Sequence, residues 1–135
     1  MKSDDELKKT FEIREKENNI VHFSVVSECS EKQECERRCE IVMEEFKSIF
    51  DQDPQRKVGI LLDLSGLRDV KFPPTPQARQ KYVDLASHKQ IGKIAILGSS
   101  PFHVSIAKSV FILAEKDNIS AFNSEEEALK WLNTN

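Results

Sequence analysis

The chain predicts an α/β fold with a mostly parallel sheet, in the order ββαβαβαβα, and three observations carry that reading. Two short runs, VGILLDL (58–64) and IGKIAILG (91–98), are apolar at consecutive positions, as strands covered on both faces are. Segments with apolar residues three and four apart stand between and after these runs, the signature of helices. Before them lies one pair of alternating segments with a turn between, which reads as a hairpin. Strands that alternate with helices need crossover connections, which are right-handed and leave neighbouring strands parallel.

In the hairpin, Phe11 and Ile13 alternate with charged residues, Asn18-Asn19 make the turn, and Val21, Phe23 and Val25 alternate again. The next helix is carried by Cys35, Cys39, Val42, Phe46, Ile49 and Phe50, with Ser30 as its N-cap. DQDPQRK breaks that helix before the strand at 58–64. Thr75 followed by Pro76 is an N-cap with proline at the first helical position, where the missing N–H costs nothing. Ala78, Tyr82, Leu85 and Ala86 give that helix one buried stripe. After the strand at 91–98 comes a helix at 100–116 so apolar, through Val104, Ile106, Ala107, Val110, Phe111 and Leu113, that it should lie well buried. ISAF (119–122) is a short last strand. SEEEALKWL follows as a helix with Ser124 and Glu127 at capping-box spacing and Ala128, Trp131 and Leu132 facing inward.

At 135 residues the chain is the size of one domain, expected over 10–135 behind a short tail at 1–9. Charged residues make up 32% with a net charge of -3, and the lysines and arginines are interspersed with acids. That pattern argues against a nucleic-acid binder, which carries a basic stripe. No apolar run reaches the ~18 residues of a membrane span. The opening MKSDDELKK lacks an apolar signal core, so a cytoplasmic setting is expected. Cys29, Cys35 and Cys39 then read as reduced thiols.

The pieces ILLDLSGL (60–67), TPQARQKY (75–82), KIAILGSSPF (93–102) and AFNSEEEALKWL (121–132), in this order and spacing, resemble the STAS-type fold and most closely the SpoIIAA-like family. The resemblance implies a sheet of about five strands with helices mainly on one face. STAS relatives include anti-anti-sigma factors, which bind a kinase partner and are phosphorylated on a serine where the helix after the central strand begins. Thr75 stands at that position here, within Pro74-Thr75-Pro76-Gln77 where those relatives have Asp-Ser-Ser-Gly. The SpoIIAA-like branch is also compared with CRAL-TRIO lipid-transfer domains, which implies an apolar ligand.

Candidate residues gather where open α/β sheets bind ligands, beyond the carboxyl ends of the strands: Asp63, Ser65 and Gly66, then Gly98, Ser99, Ser100 and His103. GSSPF would offer backbone N–H groups to an anion at a helix start, against the simpler reading that Ser99 or Ser100 caps its helix. Asp63 would serve as a base or metal ligand, against tying down its own loop; Ser65-Gly66 reads as a turn. A phosphate on Thr75 would suit the helix dipole and repel an acidic partner, against plain capping. The three cysteines lack a fourth ligand for structural zinc, and His22, His88 and His103 have no partner evident in sequence. No metal and no cofactor are expected.

The function these residues predict is a non-catalytic regulatory or protein-interaction module of the SpoIIAA-like type, its partner docking around 65–80 and 98–103 near Arg68 and Arg79. The alternative is a carrier of a small apolar, lipid-like ligand, and the third reading a nucleotide- or phosphate-binding protein using Asp63, Ser99 and Ser100. Monomer and homodimer both remain open.

Overall fold

In the computed structural model, residues 2–29, 31–67 and 75–134 are described. A short helix, α1 (Asp4–Leu7), is followed by β1 (Phe11–Lys16), β2 (Ile20–Val25), α2 (Lys32–Gln52), β3 (Val58–Asp63), α3 (Pro76–Ala86), β4 (Ile91–Leu97), α4 (Pro101–Leu113), β5 (Ile119–Phe122) and α5 (Glu125–Leu132). Ser30, Arg68 and Pro74, to which the sequence reading gave roles, lie outside the described residues; the N-cap of α2, expected at Ser30, is Glu31, whose side chain makes no capping bond.

The sheet has five strands in the order β1-β2-β3-β4-β5; only β1–β2 is antiparallel. Lys16 pairs with Ile20, so Glu17, Asn18 and Asn19 make a three-residue turn, and Asn18 and Asn19 take it at φ 62° and 59°, left-handed values that asparagine tolerates. From β2 onward each strand is added on the same side of the last. Right-handed crossovers that always step the same way must put their helices on the same face. That face carries α2, α3 and α4, over a core of Val21, Phe23, Ile60, Leu62, Ile94 and Ile96 from the strands. The return helix α5 covers the other face, where Ile20, Leu61, Ala95 and Leu97 meet Ala128 and Leu132.

Two further features differ from the sequence expectation. Residues 4–7 of the expected tail form α1, which Ser3 and Glu6 close with a capping box. Leu7 is buried, and Arg37 of α2 holds Asp4 at 2.7 Å. No single signal in nine mostly polar residues announces one leucine finding a groove. Second, α4 is not well buried throughout. Ala107, Val110 and Phe111 face the sheet, whereas Phe102, Ile112 and Leu113 are exposed, Ile112 to 70%. The helix is apolar all round, but this layer is outermost and gives it a sheet on one side only.

Candidate functional site

Parallel pairing brings the carboxyl ends of β2, β3, β4 and β5 to one edge. Side chains alternate along a strand, so that edge divides into two sides. Leu61 and Asp63 point toward α5, while Ile60, Leu62 and Leu64 point toward α2, α3 and α4.

On the α5 side Asp63 accepts hydrogen bonds from the backbone N–H and the hydroxyl of Ser65, which fastens the turn after β3. Gly66 in that turn lies so close to β2 that a Cβ would stand 2.9 Å from the Val26 carbonyl oxygen. The other carboxylate oxygen of Asp63 meets Nε2 of buried His22 at 3.1 Å. Burial raises the Asp63 carboxyl more than any other single effect, but the Ser65 and His22 hydrogen bonds together hold it below its ordinary range. The stability this gives is present above the ordinary carboxylate pKa and is lost as pH falls through the lower folded value.

Ser24 Oγ lies 3.1 Å from the same Nε2. A nucleophile–histidine–carboxylate relay needs the serine and the acid on opposite ring nitrogens. Here both use one, so with Nε2–H given to Asp63 no lone pair remains there to take a proton from Ser24. Among the described residues, His22, Asp63 and Glu125 also bring one ring nitrogen and two carboxylate oxygens within 4.8 Å of one another. That set is a nitrogen and two oxygens, and the His22–Asp63–Ser24 bonds already satisfy its buried member.

On the other side the helices and the sheet line a partly open cavity of ≈ 180 Å³. Its walls are apolar: Phe46 from α2, Leu62 and Ile94 from the sheet, Tyr82 from α3, Val110 and Phe111 from α4. One end is polar. There Glu28, at the exit of β2, and His103, in the first turn of α4, reach the cavity together with Arg38. His103 Nε2 and Glu28 Oε1 are 2.6 Å apart, both side chains mostly buried. With Nε2 facing the carboxylate, His103 Nδ1 is buried with no hydrogen-bond partner among the described residues. A buried ring nitrogen left unpaired costs ~1–3 kcal/mol, so a group that pairs it is stabilised there. Sequence reading named His103 but not its partner, which lies 75 residues away.

The remaining candidates serve as caps. Ser100, not Ser99, is the N-cap of α4 and accepts from the His103 N–H at 3.4 Å. Thr75 caps α3: it is buried, its Oγ1 accepts from the Ala78 N–H at 3.1 Å, and its hydroxyl donates to Glu36 at 3.3 Å. A phosphate on that oxygen would break the donated bond and stand against the Glu36 carboxylate. Thr75→Ala should cost ~0.5–2 kcal/mol in urea denaturation, the ordinary worth of such a cap. Thr75→Glu should cost more, since it adds a charge facing Glu36. Equal losses for the two variants would remove that electrostatic opposition.

Of the three free cysteines, Cys39 is fully buried on α2, its thiol donating to the Ala78 carbonyl at 3.7 Å, and burial pushes it up to about 12. Cys29 and Cys35 belong instead to the cavity wall near its polar end.

A family model described as SpoIIAA-like matches residues 20–133. Among solved structures, an uncharacterised protein from the DUF3478 family with a SpoIIAA-like fold, from Shewanella loihica PV-4, is similar with a TM-score of 0.64. The identity is 15%, over 90% of this chain and 91% of that one, a likeness of fold. No curated protein matches the sequence.

Proposed function

The chain belongs to the SpoIIAA-like family, and from that premise we propose that it is a non-catalytic regulatory domain whose input is a small, mostly apolar molecule held between the sheet and α2–α4. The observation that carries this reading is the apolar cavity with the His103–Glu28 pair at its polar end. Its size sets the ligand class. A lipid carrier needs a pocket of roughly 300 Å³ or more, and this one holds ≈ 180 Å³. An apolar cavity of about 150 Å³ takes benzene, so one or two fused rings, or a short alkyl chain, fit here. The polar end, with His103 and Glu28, favours a ligand that carries one polar group. Among the described residues no helix is long and apolar enough to cross a membrane.

Indole and its isostere benzofuran, which lacks the N–H, make a paired probe. Indole at a hundred times its dissociation constant should add ~2.7 kcal/mol of stability in a thermal-shift series. Benzofuran should bind more weakly, and His103→Phe should abolish the difference. No shift with either probe, together with no adduct in native mass spectrometry of detergent-free protein, would leave the cavity a packing defect.

A second reading, docking of a protein partner, is favoured by Phe102, Ile112 and Leu113 exposed along α4 and by Val26 exposed beside the rim. Phe102→Ser with Leu113→Ser should release a captured partner without changing indole binding.

A further inference from the structure

His22 follows Val21 on β2, so the alternation of the strand turns it to the α5 side, where Glu125 opens the helix. Among the described residues, buried His22 makes its hydrogen bonds through one ring nitrogen: Asp63 Oδ2 and Ser24 Oγ each lie 3.1 Å from Nε2. An ionised carboxylate only accepts, so Nε2 carries the proton in the bond to Asp63. That leaves Nδ1 as the ring nitrogen able to take another partner. It faces Glu125, whose Oε1 stands 3.9 Å away.

This spacing is too long for a hydrogen bond and close to what two ligands of one metal ion require. Zinc holds nitrogen and carboxylate oxygen at ~2.0–2.2 Å, which sets tetrahedral ligands about 3.4 Å apart. The Glu125 side chain is 47% exposed, so its own rotation can close the difference. Histidine ligands ordinarily donate their other ring N–H to a carboxylate, which fixes the ring and raises its basicity. Asp63 does this for His22, and Ser65 in turn holds Asp63. The start of α5 opposes a cation with about half a positive charge. Three carboxylates in its first turn, Glu125, Glu126 and Glu127, outweigh that.

We propose that His22 Nδ1 and Glu125 bind a divalent ion of the zinc class on the α5 side of the carboxyl edge, with Asp63 orienting the ring and water completing the shell. Where the ring is imidazolium, the ion displaces the Nδ1 proton to the buffer. The site is separate from the cavity, since Val21 and Phe23, which alternate with His22, face the other way. No spacing motif announces it: His22 and Asp63 are 41 residues apart, and Glu125 begins the last helix.

Zinc chloride, titrated into the reduced protein, is the probe. Calorimetry and imidazole nitrogen-15 spectra of the full chain should agree on one site, with His22 Nδ1 shifting as it fills and Nε2 keeping its proton. Asp63→Asn removes no ligand. Its amide oxygen still accepts from Ser65, but its NH2 then faces Nε2, which draws the ring proton to Nδ1 and closes that nitrogen to the ion. Affinity should fall ~10–100-fold, and Glu125→Gln, which loses a ligand, should cost at least as much. Were Asp63 of structural value alone, the variant would lower the denaturation midpoint and leave zinc affinity unchanged. Should Asp63→Asn fail to fold, the spectra of the unaltered protein and the exposed Glu125→Gln change decide. Unchanged affinity in Glu125→Gln, a zinc shift at His22 Nε2 in place of Nδ1, or no saturable binding up to about 1 mM zinc would each overturn the assignment.

Discussion

Phe46→Ala is expected to cost ~3–5 kcal/mol, the range for deleting a buried aromatic side chain. Phe46 is 2% exposed and meets Phe23 edge-on at 5.6 Å between centroids and Phe50 at 5.9 Å. Both ring contacts are lost, and they are worth ~0.5–1.5 kcal/mol apiece beyond area. The void left behind adjoins a cavity that already exists, because Phe46 forms part of its wall. The surroundings therefore cannot collapse to fill it, which places the loss toward the upper end. Urea denaturation reads the midpoint, and indole, which should bind the enlarged space more tightly, should restore part of the loss. A cost under ~1.5 kcal/mol would mean that α2 does not pack on the sheet as described.

Leu61→Ala should cost ~2–5 kcal/mol, and it tests the other face. Leu61 has no exposed surface and sits among Ile20, Ala95, Leu97, Ala128 and Leu132. If β3 were covered on one face only, its residues toward α5 would be solvated, and trimming one would change stability by less than ~0.5 kcal/mol. The loss should leave indole binding unchanged, since Leu61 points away from the cavity. A small loss, or weakened indole binding, would contradict the two-sided burial of β3.

That two-sided burial was legible in VGILLDL and IGKIAILG, because only an interior strand needs apolar residues at adjacent positions. Asn18-Asn19 announced a hairpin, since asparagine tolerates the left-handed backbone that the turn imposes. Thr75-Pro76 announced a helix start, and α3 begins there. The candidate site was legible only in part. Asp63, Ser65 and His103 were named, but His22 reaches Asp63 from 41 residues away and Glu28 reaches His103 from 75. Such pairs exist only once strands are in register and helices are packed. Nor does any motif encode the cavity, which is what remains between α2, α3, α4 and the sheet after their larger side chains have met.

The most direct test is a carbon-13 methyl spectrum of Ile-, Leu- and Val-labelled protein, titrated with indole. Methyl signals of Ile60, Leu62, Ile94 and Val110 should shift together and saturate at one affinity, while those of Leu61 and Leu132 stay in place. Shifts on the α5 face, or no saturable shift at any of these methyls, would contradict a ligand site between the sheet and α2–α4.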